Sequence, residues 1–320
     1  MSAVTAPVRL TGRSTAVLVL VSLIGLALFS WPLFVPSEAA LAHSADAPLV
    51  FAIVMTMLVI VLASEVISGE LDAKGLAMLG VLAATAAALR PLGSGVSGFQ
   101  PMFIVLIIGG RALGPGFGFS LGLVSMFGSA LLTGGVGPWL PFQMLGAAWL
   151  GMGAGLLPRA RGRRELILLA GYGAIAGVVY GFLLNLWFWP FLTTAAPGIS
   201  FVAGAPIGEN LGRFLVFCLV TSLGFDIPRA IGNVVLLLLA GGPMLRAIRR
   251  ATRRANFSAV ASFLEPVQDP DSLPDAPATA DASASARSSA RTTDSGLTRR
   301  NDATPRDRSG PTADAEISQT

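Results

Sequence analysis

The sequence predicts an all-α polytopic membrane protein with about eight transmembrane helices and a disordered C-terminal tail. Three observations predict it. Hydrophobic residues make up 53% of the 320, and the mean hydropathy is +0.70, too apolar for an ordinary soluble domain. No charged residue occurs within 14–37, 112–158, 166–208 or 230–245. A charge at a helix centre costs roughly 2.5–3.5 kcal/mol on insertion, and a span needs about 20 apolar residues, so stretches of this length fit lipid. The basic residues flank these stretches, as in Arg159, Arg161, Arg163 and Arg164 and the cluster from Arg246 to Arg254. That placement marks loops on the cytoplasmic side. It accounts for a pI of about 10.2 without a nucleic-acid partner.

The first apolar run, 17–35, follows Arg9 and Arg13. Ala40-Leu41-Ala42 resembles a signal-peptide cleavage site, but the run is longer than a signal core and ends well before it, which favours a retained helix. An acidic loop over 36–48 leads to the second span, 49–67. The third, 75–89, ends at Arg90-Pro91, because proline disfavours helix at the residue before it. The fourth, 101–113, is short and stops at the turn Gly114-Pro115-Gly116. The fifth covers 117–132, the sixth 139–157 and the seventh 166–189. The last region, 209–246, is interrupted by Asp226, Pro228 and Arg229. It reads either as one kinked helix or as an interfacial or re-entrant segment, 211–225, followed by a span, 227–245. Eight spans with both termini in the cytoplasm place nearly every basic loop inside; Arg90, at an outer helix end, is the exception. The domain reading is a cytoplasmic N-terminus over 1–14, two N-terminal helices over 15–70, a six-helix domain over 71–250 and a cytoplasmic tail over 255–320. The tail is too poor in large apolar side chains to fold alone.

The residues for chemistry are missing. There is one histidine, His43, and one cysteine, Cys218, and no cluster of aspartates in the apolar region. That argues against a metalloprotease, a Mg2+-dependent transferase and a disulfide framework. The glycine-rich pieces at 109–114 and 134–137 follow no strand, and no Walker A motif occurs. No catalytic residue, metal site or cofactor is expected. Ion-coupled carriers keep ionisable groups in mid-membrane; Glu65, Asp226 and Arg111 all fall near span ends.

Four segments carry a family resemblance. They are 82–91 (Leu82 to Arg90-Pro91), 101–118 (Pro101 through Gly114-Pro115-Gly116), 134–144 (Gly134-Gly135-Val136-Gly137-Pro138-Trp139 to Met144), and 225–233 (Phe225-Asp226-Ile227-Pro228-Arg229 to Asn233). Together they make the stretch from Gly75 to Arg250 resemble the substrate-binding S component of energy-coupling factor (ECF) vitamin transporters. The resemblance implies six helices and no enzymatic activity. It implies capture of a vitamin or related micronutrient from outside a bacterial cell membrane, and docking on a T-type transmembrane subunit served by two ATP-binding subunits. The two N-terminal spans and the tail depart from that pattern. Docking in the family uses an Ala-x-x-x-Ala motif on its first helix. Ala83/Ala87 and Ala84/Ala88 match it, with Gly80 extending the second row. Small residues four apart share a helix face and let another helix approach in lipid; packing against the protein's own helices would use the same spacing.

The family's pocket opens outward, which here points to the loops 92–100, 133–138 and 190–208 and the adjoining helix ends. The candidate solute contacts are Arg90, Phe99, Gln100, Trp139, Gln143, Asn185, Trp189 and Asn233. Arg90 suits a carboxylate or phosphate, or snorkels to the surface. Tryptophans near helix ends, Trp31 and Trp187 above all, also form aromatic belts, and buried amides also bridge helices. Arg111 reads as a topology anchor or part of a docking face. The extended outer loops fit a bulky solute such as a corrinoid. Two other functions suit the same composition: a self-sufficient secondary carrier, which should show inverted halves, and a membrane scaffold recruiting partners through its tail.

Overall fold

The computed structural model describes residues 12–34, 52, 54–60, 73–93, 98–192, 196 and 198–262. All secondary structure among them is helical: α1 (Gly12–Ser30), a helical stretch at 54–60, α2 (Ala73–Leu89), α3 (Met102–Leu113), α4 (Pro115–Thr133), α5 (Leu140–Leu156), α6 (Arg163–Phe188), α7 (Ile207–Thr221) and α8 (Leu223–Ser262). Among the described residues, five segments are long and apolar enough to cross a membrane: Ser14–Leu33, Ala73–Gly93, Pro115–Thr133, Arg163–Phe191 and Leu223–Arg253. The chain is an all-α polytopic membrane protein. Most of the second expected span, the loops at 36–48 and 94–97, Glu65 and the tail beyond 262 lie outside the described residues.

Helix α3 is 12 residues long, about 18 Å, well short of a ~30 Å hydrocarbon core. Its residues Met102 to Gly110 are all buried, so it is apolar all round and sits at the centre of the bundle. Glycine brings α4 and α5 together around it: a Cβ on Gly118 or Gly151 would overlap the other's backbone. Helix α1 packs on α5 and α6 through aromatic contacts. Trp149 donates its indole N–H to Ser22 Oγ (3.0 Å), and Phe29 meets Phe142 edge-on at 5.1 Å. Trp31, Trp187 and Phe191 continue that contact, with ring centroids 5.9 Å (Trp31–Phe191) and 5.4 Å (Trp187–Phe191) apart.

At the basic end, the structure gives Arg111 a role the charge pattern does not show. Its Nε donates to Glu165 Oε1 (2.8 Å), and its Nη1 and Nη2 donate to the carbonyls of Leu157 (2.9 Å) and Pro158 (3.1 Å). Arg249 approaches Glu165 from α8 with bonds of 2.6 and 3.0 Å. Glu165 is 3% exposed and Arg111 8%. The group ties α3, α6, α8 and the α5–α6 connection together, so Arg111 is a buried tertiary clamp.

The last region is two helices in succession, as in the second expected form, but the break falls at Ser222, four residues before Asp226, so Asp226, Pro228 and Arg229 lie in the first turns of α8. The Ser222 carbonyl accepts the N–H groups of both Phe225 (2.9 Å) and Asp226 (2.8 Å), starting the new helix. Pro228, the sixth residue of α8, donates no N–H and so removes one i→i−4 bond, yet the helix continues past it. Helix α8 then runs through the basic cluster to Ser262, past the start of the predicted tail at 255.

Candidate functional site

Arg90 follows α2, where Pro91 stops the helix and a 3-10 turn over Pro91–Gly93 redirects the chain. The Arg90 N–H still bonds the Ala86 carbonyl (3.2 Å), so the residue is held against the helix end. Its side chain is half-buried and crosses to α5, where Nη2 donates to Gln143 Oε1 (3.0 Å). Two of the sequence-predicted site residues, 53 positions apart, therefore touch.

The opposite wall comes from α6 and α8, joined by a ladder with a repeat of about four. Gly173, Gly177 and Gly181 lie on one face of α6, and Asn233, Arg229 and Asp226 face them from α8. Without side chains, the glycines leave their carbonyls open to a neighbour. Asn233 Nδ2 donates to the Gly173 carbonyl (2.8 Å) and Arg229 Nη1 to the Gly177 carbonyl (3.2 Å). Arg229 Nη1 also bonds Asp226 Oδ1 at 2.5 Å. A Cβ on Gly181 would collide with the Asp226 carboxylate and the Arg229 guanidinium.

Tyr180 sits between the walls. Its ring lies 5.8 Å from the Arg229 guanidinium and meets Phe103 edge-on at 4.9 Å. A Cβ on Gly146 of α5, about one turn beyond Gln143, would meet its ring. The 98–100 segment packs on α8: Gly98, at φ +74°, lies on the Phe225 carbonyl, and the Phe99 ring covers Gly232. Gln100 follows directly. Three buried polar atoms here have no hydrogen-bond partner in the protein: Gln100 Oε1, Arg229 Nε and Asn233 Oδ1. Buried polar groups are nearly always paired, so three orphans in one cluster call for an explanation.

The structure thus brings Arg90 into contact with Gln143 and lays Phe99, the neighbour of Gln100, on α8 at Gly232, next to Asn233; Tyr180, Asp226 and Arg229 stand beside them. The other three predicted residues lie elsewhere. Trp139 is 43% exposed and folds over Gly137, donating to the Gly135 carbonyl (3.3 Å). Asn185 joins α6 to the α7–α8 junction through Ser222 Oγ (2.5 Å). Trp189 is fully buried in a separate core with Phe201, Phe214 and Phe217, and its indole N–H donates to the Ile199 carbonyl (2.6 Å). Sequence reasoning missed Tyr180 and the Gly173/Gly177/Gly181 row. The fourfold glycine spacing in a charge-free span was the available signal. The loops behind the corrinoid expectation lie partly outside the described residues. Among the described residues, no group of three or more His, Cys, Asp or Glu could hold a metal ion.

The fold is a membrane-embedded helical bundle with polar side chains, three of their buried atoms unpartnered in the protein, toward its non-basic end. The family model "ECF transporter, substrate-specific component" matches residues 74–241, just over half of the chain, and the protein belongs to that family. The match begins at α2 and leaves α1 outside it. Searches of curated proteins and of solved structures return no match.

The two small-residue rows on α2 face different ways. Ala83 and Ala87 are buried, Ala87 against α4 near Gly128. Gly80, Ala84 and Ala88 are exposed, and a Cβ on Gly80 would meet nothing within 4 Å.

Proposed function

We propose that this chain is the solute-capturing component of an ECF-type importer in a bacterial cell membrane. It binds a vitamin-like micronutrient at the cluster of Arg90, Gln100, Gln143, Tyr180, Arg229 and Asn233, then docks on a T-type transmembrane subunit powered by two ATP-binding subunits. Membership of the substrate-specific family supports the role. One observation carries the site: Arg90 bonds Gln143 of α5, the Tyr180 ring lies between α5 and the Arg229 guanidinium of α8, and buried atoms of Gln100, Arg229 and Asn233 have no hydrogen-bond partner in the protein. A preformed pocket fixes a solute with a few such groups set in apolar walls.

The charge pattern orients the molecule. Lys74, Arg159, Arg161, Arg163, Arg164, Arg246, Arg250 and Arg253 are exposed at the end opposite the cluster, so that end faces the cytoplasm and the cluster faces outward. Both termini are then cytoplasmic. The docking face is the exposed row Gly80, Ala84 and Ala88, where a partner helix gains close dispersion contact in lipid. Ala83 and Ala87, inside the bundle, support the helix from behind.

Gentle solubilisation of the tagged protein from its native host, followed by mass spectrometry of co-purifying proteins and small molecules, tests this reading. A T-type subunit and two ATPases are expected, with a bound micronutrient. A preparation without any ATPase, whose solute enters proteoliposomes containing this chain alone under an ion gradient, would replace it with a secondary carrier.

A further inference from the structure

We infer that the solute carries a negatively charged group, a carboxylate or a phosphate, and that Arg90 is the residue that recognises it. This rests on reading the cluster as the solute site. The cluster holds three described charges. Asp226 and Arg229 stand at i,i+3 on α8, paired at 2.5 Å with side chains only 8% exposed, and neutralise each other. Arg90 is left over. Among the described residues no carboxylate pairs with it, and its side-chain partner is the neutral amide of Gln143. A guanidinium has five N–H donors in a rigid fork, and a single bond from Nη2 leaves donors for a planar or tetrahedral oxyanion.

The orphaned atoms agree. Arg229 Nε is a buried donor without an acceptor, on a residue 7% exposed beside Tyr180, whose ring lies against α5 about one turn from Gln143. Gln100 Oε1 and Asn233 Oδ1 are acceptors without donors, so the solute also presents N–H or O–H groups. A cationic solute needs a carboxylate, and Asp226 is already engaged by Arg229. A neutral solute leaves the Arg90 charge uncompensated in a half-buried site. Simple snorkelling fits poorly, because the side chain reaches across to α5.

The test uses the purified full chain, its thermal unfolding midpoint, and yeast extract split by ion exchange into an anionic fraction and a combined neutral and cationic fraction. The anionic fraction should stabilise the wild type. Arg90→Gln should need about 30-fold more of it or worse, as truncating one side of a buried charge pair does. Arg90→Lys, which keeps the charge and loses the fork, should fall between, and it also serves if the glutamine variant folds poorly. Stabilisation by the neutral and cationic fraction, or an anionic effect unchanged in both variants, overturns the inference. If neither fraction shifts the wild type, the cluster is not a solute site and the reading beneath the inference falls.

Discussion

Glu165 holds two arginines at the basic end of the bundle, and each bond it makes spans far along the chain: 54 positions to Arg111 and 84 to Arg249. Replacing it with glutamine leaves Arg111 buried without its counter-ion. Breaking such a pair costs about 3 kcal/mol, at the low end of the usual range because Arg249 keeps a third of its exposure. Glu165→Gln should therefore lower the unfolding midpoint in detergent by several degrees. Replacing Glu165, Arg111 and Arg249 together with apolar residues should recover most of that loss. A midpoint unchanged in Glu165→Gln would show that the clamp is idle. This pairing was not legible in the sequence. The basic residues stand out as topology markers, but which arginine meets which acid depends on tertiary contacts that charge runs do not encode. Arg90 was singled out because its charge opposes the positive-inside pattern, a signal that needs no tertiary knowledge.

The two alanine rows of α2 show how far helical spacing goes. Spacing of four finds both rows, yet Ala83 and Ala84 point about 100° apart, and only the packing of α4 decides which one faces inward. Ala84→Leu with Ala88→Leu should leave the unfolding midpoint nearly unchanged and abolish co-purification with the T-type subunit. Ala83→Leu with Ala87→Leu overpacks a buried face and should cost about 1–3 kcal/mol per site, read as a lower midpoint. If the outward pair also unfolds the protein, that row packs internally and the docking proposal fails. Gly181→Ala tests the α6–α8 ladder: its methyl group would strike the Asp226–Arg229 pair, with an expected loss of about 1–3 kcal/mol. Gly171, on the same helix but in open space, provides the control and should accept alanine. The boundary between α7 and α8 was the least legible feature. Asp226, Pro228 and Arg229 look like breakers, but α8 continues past Pro228, Asp226 and Arg229 pair with each other, and Arg229 also donates to the Gly177 carbonyl of α6.

For the whole molecule, the membrane fold was legible because lipid imposes it: long charge-free runs have few other uses, and the backbone within them must satisfy its own hydrogen bonds as helix. The family, too, was visible in loose motifs, and its model covers residues 74–241. The attachment of α1 was not. Its seam with α5 and α6 is built from Ser22, Gly25, Phe29 and Trp149, which read in sequence as ordinary apolar helix. That seam leaves the exposed row Gly80, Ala84 and Ala88 on α2 uncovered, so the added helix is compatible with docking there. The most direct test of the account is solute uptake into proteoliposomes holding this chain with its T-type subunit and two ATPases, using the solute that co-purifies with it. Uptake should require ATP hydrolysis and all four subunits, and should be lost in the Ala84→Leu, Ala88→Leu variant. Equal uptake by this chain alone, driven by an ion gradient and indifferent to ATP, would contradict it.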